Sequence, residues 1–252
     1  MSDLPLLSVQ ELNKSFGDLE VLQNVSFDLE EFETIAIIGH SGCGKTTLLR
    51  IICAFEEAGS GTVLLDGEKH NKPSKDALML FQSFDQLQPW RTVLSNITYP
   101  LIATGTVKDR NEAKKLALKR IADVGLTDFA KAYPHTLSGG MKQRAAVARA
   151  LALAPRVLLL DEPFASLDNI TRSMLQSLTL RVCEKYGISM LLVTHSVEEA
   201  VVMADKIIVM DRKPGRIKAL LTNHVKSVPL EQRAEFTSEV LDLLGSQDSS
   251  LN

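Results

Sequence analysis

The spacing of hydrophobic positions changes several times along the chain. Val25, Phe27 and Leu29 alternate with Ser26, Asp28 and Glu30, a two-residue period that predicts a strand with one buried face. The first 30 residues read as strands of this kind. Thr34 to Ile38 is instead a continuous apolar run ended by Gly39, the pattern of a strand covered on both faces. A helix is expected from about Lys45 to Phe55, and Gly61 to Gly67 predicts a strand closed by a turn. Between about residues 93 and 153 the period becomes helical. Ala113, Leu116, Ala117, Ile121 and Val124 share one helical face. Met141, Ala145, Ala148 and Ala152 share another, on a helix that Pro155 should end. Buried-type runs then resume at Val157 to Leu160, Ser189 to Thr194 and Lys206 to Met210, separated by helices at about 169–186 and 196–204. One amphipathic helix (about 230–244) and a polar tail follow.

Strands alternating with helices imply a parallel sheet covered on both faces. The pattern therefore predicts an α/β core with an antiparallel N-terminal β part and a helical insertion. The expected boundaries are residues 1–92 with 154–222 for the core, 93–153 for the helical subdomain, and 223–252 for a C-terminal helix and tail.

Composition narrows the function classes. The 28 Lys and Arg against 31 Asp and Glu leave a net charge of −3, so no global basic field points to nucleic acid. A membrane-spanning helix needs about 18–20 apolar residues, and the longest runs here are far shorter. Residues 1–20 lack a basic start followed by an apolar block, so no signal peptide is expected. Three widely spaced cysteines (Cys43, Cys53, Cys183) fit a reducing compartment better than a disulfide framework or a zinc site. The mean hydropathy of +0.04 is slightly apolar for a soluble chain.

The chemistry is carried first by Gly39-His40-Ser41-Gly42-Cys43-Gly44-Lys45-Thr46, which fits G-x-x-x-x-G-K-[ST], the P-loop. Its glycines let successive N–H groups turn toward a phosphate. The helix that begins here aims its positive end at the same anion. Lys45 carries a charge to the outer phosphates, and the Thr46 hydroxyl is placed to ligate Mg²⁺. With Thr47, these eight positions are the candidate ATP-binding residues. A P-loop needs an acidic partner after another buried strand, and Leu158-Leu159-Leu160-Asp161-Glu162 supplies two. Asp161 would hold Mg²⁺ through water, and Glu162 would orient or deprotonate the attacking water. Cys43, at a helix N-terminus, is expected to favour its thiolate. A thiol reagent should then block turnover, and ATP should protect.

Leu137-Ser138-Gly139-Gly140-Met141-Lys142-Gln143-Arg144 resembles the signature motif of ABC-transporter ATPases. The other marks of that family follow in order. Gln82 resembles the Q-loop glutamine, Ser166-Leu167-Asp168 the D-loop, and His195 the switch histidine. Phe16 stands where the family stacks an aromatic on adenine. The resemblance covers about residues 6–222. It implies a P-loop NTPase core of ABC type and a head-to-tail homodimer, with the P-loop of one subunit and the signature of the other enclosing one ATP. Ser138 and Gly140, with Gly139 between them, would then face the γ-phosphate of the partner's ATP. His195 would contact the same phosphate. Gln82 would reach Mg²⁺ or water, and Asp168 would act across the interface.

The Pro89-Trp90-Arg91-Thr92-Val93 stretch, the Leu-Ser-Gly-Gly-Met form of the signature and Lys213-Pro214-Gly215-Arg216-Ile217 resemble the nitrate/sulfonate/taurine group of importer ATPases. His40 departs from that group, where Pro is frequent, as does Ser196, where Asp often follows the histidine. With no membrane span of its own, such a chain implies separate integral membrane permease subunits, indirectly an extracytoplasmic solute-binding protein, and a place on the cytoplasmic face of the membrane. The region around Trp90 would form part of the permease groove. No large regulatory domain is expected after residue 222. The alternatives are an ABC exporter ATPase and a soluble ABC ATPase unlinked to transport. An ordinary P-loop GTPase would need an [NT]-K-x-D motif, which is not found.

Overall fold

The computed structural model describes residues 4–81 and 86–245. Close Cα packing divides the chain into two compact units, one within Met1–Ser74 and Ser189–Asn252 and the other within Lys75–Ile188. The strands around Leu78 and Leu159 thus group with the helices of 93–153, whereas the pattern had grouped them with the P-loop core.

The first unit contains two sheets. Strands β1 (Leu7–Phe16) and β2 (Leu19–Leu29) form an antiparallel hairpin whose register closes on Phe16 opposite Leu19. That leaves Gly17 and Asp18 to turn the chain, and Gly17 takes the left-handed φ of 57° such a turn favours. Strands β4 (Ser60–Leu65) and β5 (Glu68–Lys69) extend this sheet in the order β2-β1-β4-β5. The expected alternation in β2 holds, with Val25, Phe27 and Leu29 buried and Ser26 and Asp28 exposed.

The second sheet is built on β3 (Thr34–Ile38), buried at all five positions. It pairs in parallel with β8 (Ser189–Thr194) on one side and β9 (Lys206–Met210) on the other. Strand β10 (Ile217–Thr222) adds antiparallel to β9. Helix α1 (Lys45–Ile52) leaves the end of β3 through the P-loop, and α6 (Val197–Met203) joins β8 to β9. The C-terminal helix α7 (Ala234–Gly245) starts four residues later than its apolar pattern predicts, because a 3-10 turn occupies Leu230–Arg233. Phe236 and Val240 of α7 pack with Val197, Ala200 and Val201 of α6 and with Ile207 and Val209 of β9. Burying each of the phenylalanine, valine and isoleucine side chains contributes about 1.5–3 kcal/mol.

The second unit pairs β6 (Ala77–Leu80) in parallel with β7 (Val157–Asp161). Its helices are α2 (Val93–Ala103), α3 (Arg110–Asp123), α4 (Gly139–Ala152) and α5 (Asn169–Tyr186). Each starts on the side-chain cap its sequence offers: Thr92, Asp109, Ser138 and Asp168. Helix α4 ends three residues before Pro155, and Gly187 closes α5 with a left-handed φ of 61°. At the end of α3, the Asp123 carboxylate accepts from Lys185 Nζ and Tyr186 Oη at 2.6 Å each. Burial alone would raise its pKa, but these bonds and the nearby charges outweigh it and hold the carboxyl below its ordinary range.

Candidate functional site

The P-loop is shaped by its glycines. Gly42 and Gly44 take φ of 78° and 98°, which side-chain-bearing residues rarely adopt. At Gly44 space forbids a side chain as well, since a Cβ would lie 2.7 Å from Leu22 Cδ2 and 3.0 Å from the Val21 carbonyl on β2. Gly44 is also the N-cap of α1 and carries no side-chain cap, so the first amides of this helix are left to an anion. Lys45 is 6% exposed. Its Nζ donates to the carbonyls of Gly39 at 2.7 Å and His40 at 3.1 Å, which holds the ammonium at the hub of the loop. Thr46 and Ser41 are exposed, and Thr47 is half-buried.

Two positions depart from expectation. Cys43 is 1% exposed. Its Sγ is tucked under the loop, where a Cβ on Gly39 would meet it at 2.8 Å. Burial pushes the Cys43 thiol up, and this outweighs the lowering by the nearby Lys45 charge. The expected thiolate is therefore corrected: desolvation wins over the helix terminus. His40 gains a specific role, since its Nε2 lies 3.1 Å from the Leu244 carbonyl at the end of α7. A carbonyl only accepts, so this nitrogen is the one that donates. Lys218 Nζ donates to the adjacent Leu243 carbonyl at 2.6 Å. The C-terminal helix is thus tied to the P-loop at a position where proline could not donate.

In the same unit, Phe16 at the end of β1 is 49% exposed with Lys14 Nζ 4.7 Å from its ring centroid. An exposed ring face is what adenine stacking requires. His195 follows β8 and is exposed. Ser196 N donates to Thr194 Oγ1 at 3.0 Å, and Ser196 Oγ accepts from Glu199 N at 3.2 Å as the N-cap of α6. Serine caps about as well as aspartate, so the Ser196 departure leaves this corner intact.

In the second unit, Asp161 ends β7 and is buried, while Glu162 directly after it takes φ of 45°. A left-handed glutamate costs about 1–2 kcal/mol, and such strain collects at functional positions. Sequence alone gave no sign of it. The loop that follows is held by Arg172 of α5, whose Nη2 donates to the Leu167 carbonyl at 2.9 Å and Nε to the Phe164 carbonyl at 3.4 Å. Asp168 caps α5, accepting from Thr171 N at 3.0 Å, and this backbone bond lowers its pKa.

Ser138 and Gly139 are exposed at the start of α4. Ser138 Oγ accepts from Met141 N at 3.4 Å, which leaves its own proton free to donate. Gly140 is buried against α5, where a Cβ would lie 2.7 Å from Thr171 Cγ2. Packing therefore demands glycine there irrespective of any phosphate. Gln82 lies outside the described residues. Trp90 is 71% exposed, on a loop organised by buried Asn96. Asn96 Nδ2 donates to the carbonyls of Gln88, Arg91 and Thr92, and Oδ1 accepts from Gln88 N at 2.7 Å. No apolar period marks an asparagine in this role, so it was missed.

A phosphate cradle at a helix start, an acidic strand end and a second open helix start in one chain define a nucleotide-hydrolysing P-loop protein. Residues 22–165 match the ABC transporter family. The chain is 43% identical over 236 residues to MJ0412, an ABC transporter ATP-binding protein of Methanocaldococcus jannaschii, covering 92% of this chain and 85% of that protein. It is 40% identical over 238 residues to SsuB of Bacillus cereus, an aliphatic sulfonates import ATP-binding protein, covering 93% and 92%. The taurine import ATP-binding protein TauB of Rhizobium johnstonii is 41% identical over 201 residues, 80% and 76%. Among solved structures, the dimeric post-hydrolysis state of the ATP-binding cassette MJ0796, bound to ADP and Pi, superposes with a TM-score of 0.75. The two are 31% identical, over 86% of this chain and 99% of that one. The chain belongs to the ABC transporter family. It is an ABC-type ATPase, as the signature motif had implied. Among the described residues, no helix is long and apolar enough to cross a membrane.

Proposed function

We propose that this ATPase powers import of a small anionic solute of the sulfonate, taurine or nitrate kind. In this reading it works as a head-to-tail homodimer on the cytoplasmic face of the membrane. It docks on separate permease subunits that receive solute from an extracytoplasmic binding protein. The observation that carries the reading is the presence in one chain of two open helix starts, the uncapped α1 behind Gly44 and the exposed Ser138-Gly139 start of α4. Each is suited to phosphate.

In the proposed cycle, Phe16 stacks on adenine, and the amides from Gly39 through Thr47 with Lys45 hold the phosphates. Ser138, Gly139 and Gly140 of the opposite subunit close over the γ-phosphate. The Thr46 hydroxyl and Asp161 carboxylate are hard oxygen donors of the kind Mg²⁺ takes, with Gln82 as a further oxygen. Bound there, Mg²⁺ supplies positive charge against the phosphates. Glu162 draws the proton from the attacking water while His195 fixes the γ-phosphate. Asp168 holds the start of α5 at the interface. Trp90 and its Asn96-braced loop present an exposed face to the permease.

The test is Glu162→Gln. It should keep ATP affinity within about twofold and lower turnover by about 10²–10⁴-fold, the usual worth of a positioned base. Turnover near that of the unaltered chain removes Glu162 from the role.

A further inference from the structure

The hairpin joining β9 to β10, which holds the Lys213–Arg216 stretch, was given no role in the phosphate chemistry, yet it is bound to the P-loop. Asp211 N donates to the Arg216 carbonyl at 2.9 Å, closing the hairpin. Gly215 N donates to the Val21 carbonyl at 2.8 Å, and Gln23 N donates to the Gly215 carbonyl at 3.0 Å, so the hairpin is stitched to β2. The same stretch of β2 presses on Gly44, and a Cβ on Gly215 would collide with the Cys43 carbonyl. The hairpin and the phosphate loop therefore share one rigid support.

What this support carries forward is charge. Arg212 and Lys213, both exposed, line a cavity of about 570 Å³ together with His40, Ser41 and Gly42. Lys213 Cε lies 3.6 Å from where a Cβ on Gly42 would stand, so its ammonium sits beside the tip of the loop. Among the described residues, Lys213 makes no hydrogen bond or ion pair. Lys45 does not line this cavity, because its ammonium is turned to the inner carbonyls of Gly39 and His40. A triphosphate seated on the loop adds negative charge at its terminal phosphate, which an outer cation would help the inner lysine to balance.

We infer that Lys213 is an outer arm of the phosphate site that adds positive charge to the terminal phosphate of ATP from its own subunit. The inference rests on the reading of Gly39–Thr46 as the ATP site. An uncompensated cation held next to a polyanion on a fixed backbone raises affinity for the more highly charged ligand and loses that advantage in salt. Its effect therefore falls on ATP more than on ADP. Lys213 acts here as a binding and specificity residue, and Glu162 keeps the chemistry.

The experiment titrates the full chain with fluorescent ATP and ADP analogues at low and at raised salt. It compares the unaltered protein with Lys213→Gln, Lys213→Arg and Lys45→Ala, with thermal melts confirming that each folds. Lys213→Gln should weaken ATP by about 3- to 10-fold and ADP by less than about twofold at low salt, with the gap closing in salt. Lys213→Arg should restore ATP binding. Equal loss for ATP and ADP, or no loss for either, overturns the inference while a binding-deficient Lys45→Ala still upholds the P-loop reading. Unchanged binding by Lys45→Ala overturns that underlying reading instead.

Discussion

Replacing Gly215 by alanine tests whether the β9–β10 hairpin supports the P-loop. Gly215 is buried, and a methyl there would meet the Cys43 carbonyl, with Met210 Cε 2.9 Å away. The methionine tip can swing aside, but the carbonyl is backbone within the phosphate loop and cannot. Two reliefs are available. The hairpin can retreat, losing the Gly215–Val21 and Gln23–Gly215 bonds at 2.8 and 3.0 Å, each worth about 0.5–1.5 kcal/mol. Otherwise the loop yields, at an overpacking strain of about 1–3 kcal/mol. Either route costs about 1–3 kcal/mol, which for a chain of this size lowers Tm by about 2–12 °C. Both routes disturb the residue before Gly44, so ATP affinity should fall alongside stability. Gly245→Ala is the matched control, since a Cβ there has nothing within 4 Å. Differential scanning calorimetry and nucleotide titration of both variants provide the assay. A Gly215→Ala protein that melts and binds ATP like the Gly245→Ala control refutes the clamping argument.

Three further outcomes follow from the site and its surroundings. Cys43 should react slowly with thiol reagents at neutral pH and gain little from ATP protection, because burial raises its thiol pKa; rapid stoichiometric labelling in the native protein contradicts this. Cys53 and Cys183 are pushed up to about 12 by burial, while an unfolded thiol ionises near about 8.5. The stability tied to these neutral thiols is fully present below the unfolded value, so denaturant midpoints should fall as pH rises from about 9 toward 12, and a flat profile counts against it. Asn96→Ala leaves the buried loop groups around Gln88 and Thr92 without partners and should cost about 2–4 kcal/mol. Trp90, the only tryptophan, should report the loosened loop by anisotropy decay, and an unchanged decay would show that Asn96 does not set the loop.

The elements legible in advance were those whose burial repeats at a fixed period. Strand β3, buried throughout, and helix α5, set between the Asp168 cap and Gly187, fall where pattern and punctuation placed them. Strand β10 did not, since none of its six residues is fully buried and an edge strand of that kind has no clean alternation. At the site, the P-loop was legible because the glycine demand is local, as the left-handed φ of Gly42 and Gly44 confirms. The Cys43 thiolate was misjudged because a helix start is visible in sequence while the burial of Sγ beside Gly39 is not. The Glu162 backbone strain and the Arg172 bonds to the following loop depend on tertiary placement and leave no periodic trace. Gly140 shows the converse, because the signature glycine read for phosphate chemistry is also required by its contact with Thr171.

The central claim is that one chain's phosphate loop and another chain's signature helix enclose the same ATP. The most direct measurement is light scattering of Glu162→Gln with and without ATP, repeated with Ser138→Arg added. The account predicts that the single variant doubles its mass only with ATP and that the double variant stays monomeric while still binding nucleotide. A mass that ignores ATP, or a double variant that dimerises as readily as the single one, contradicts it.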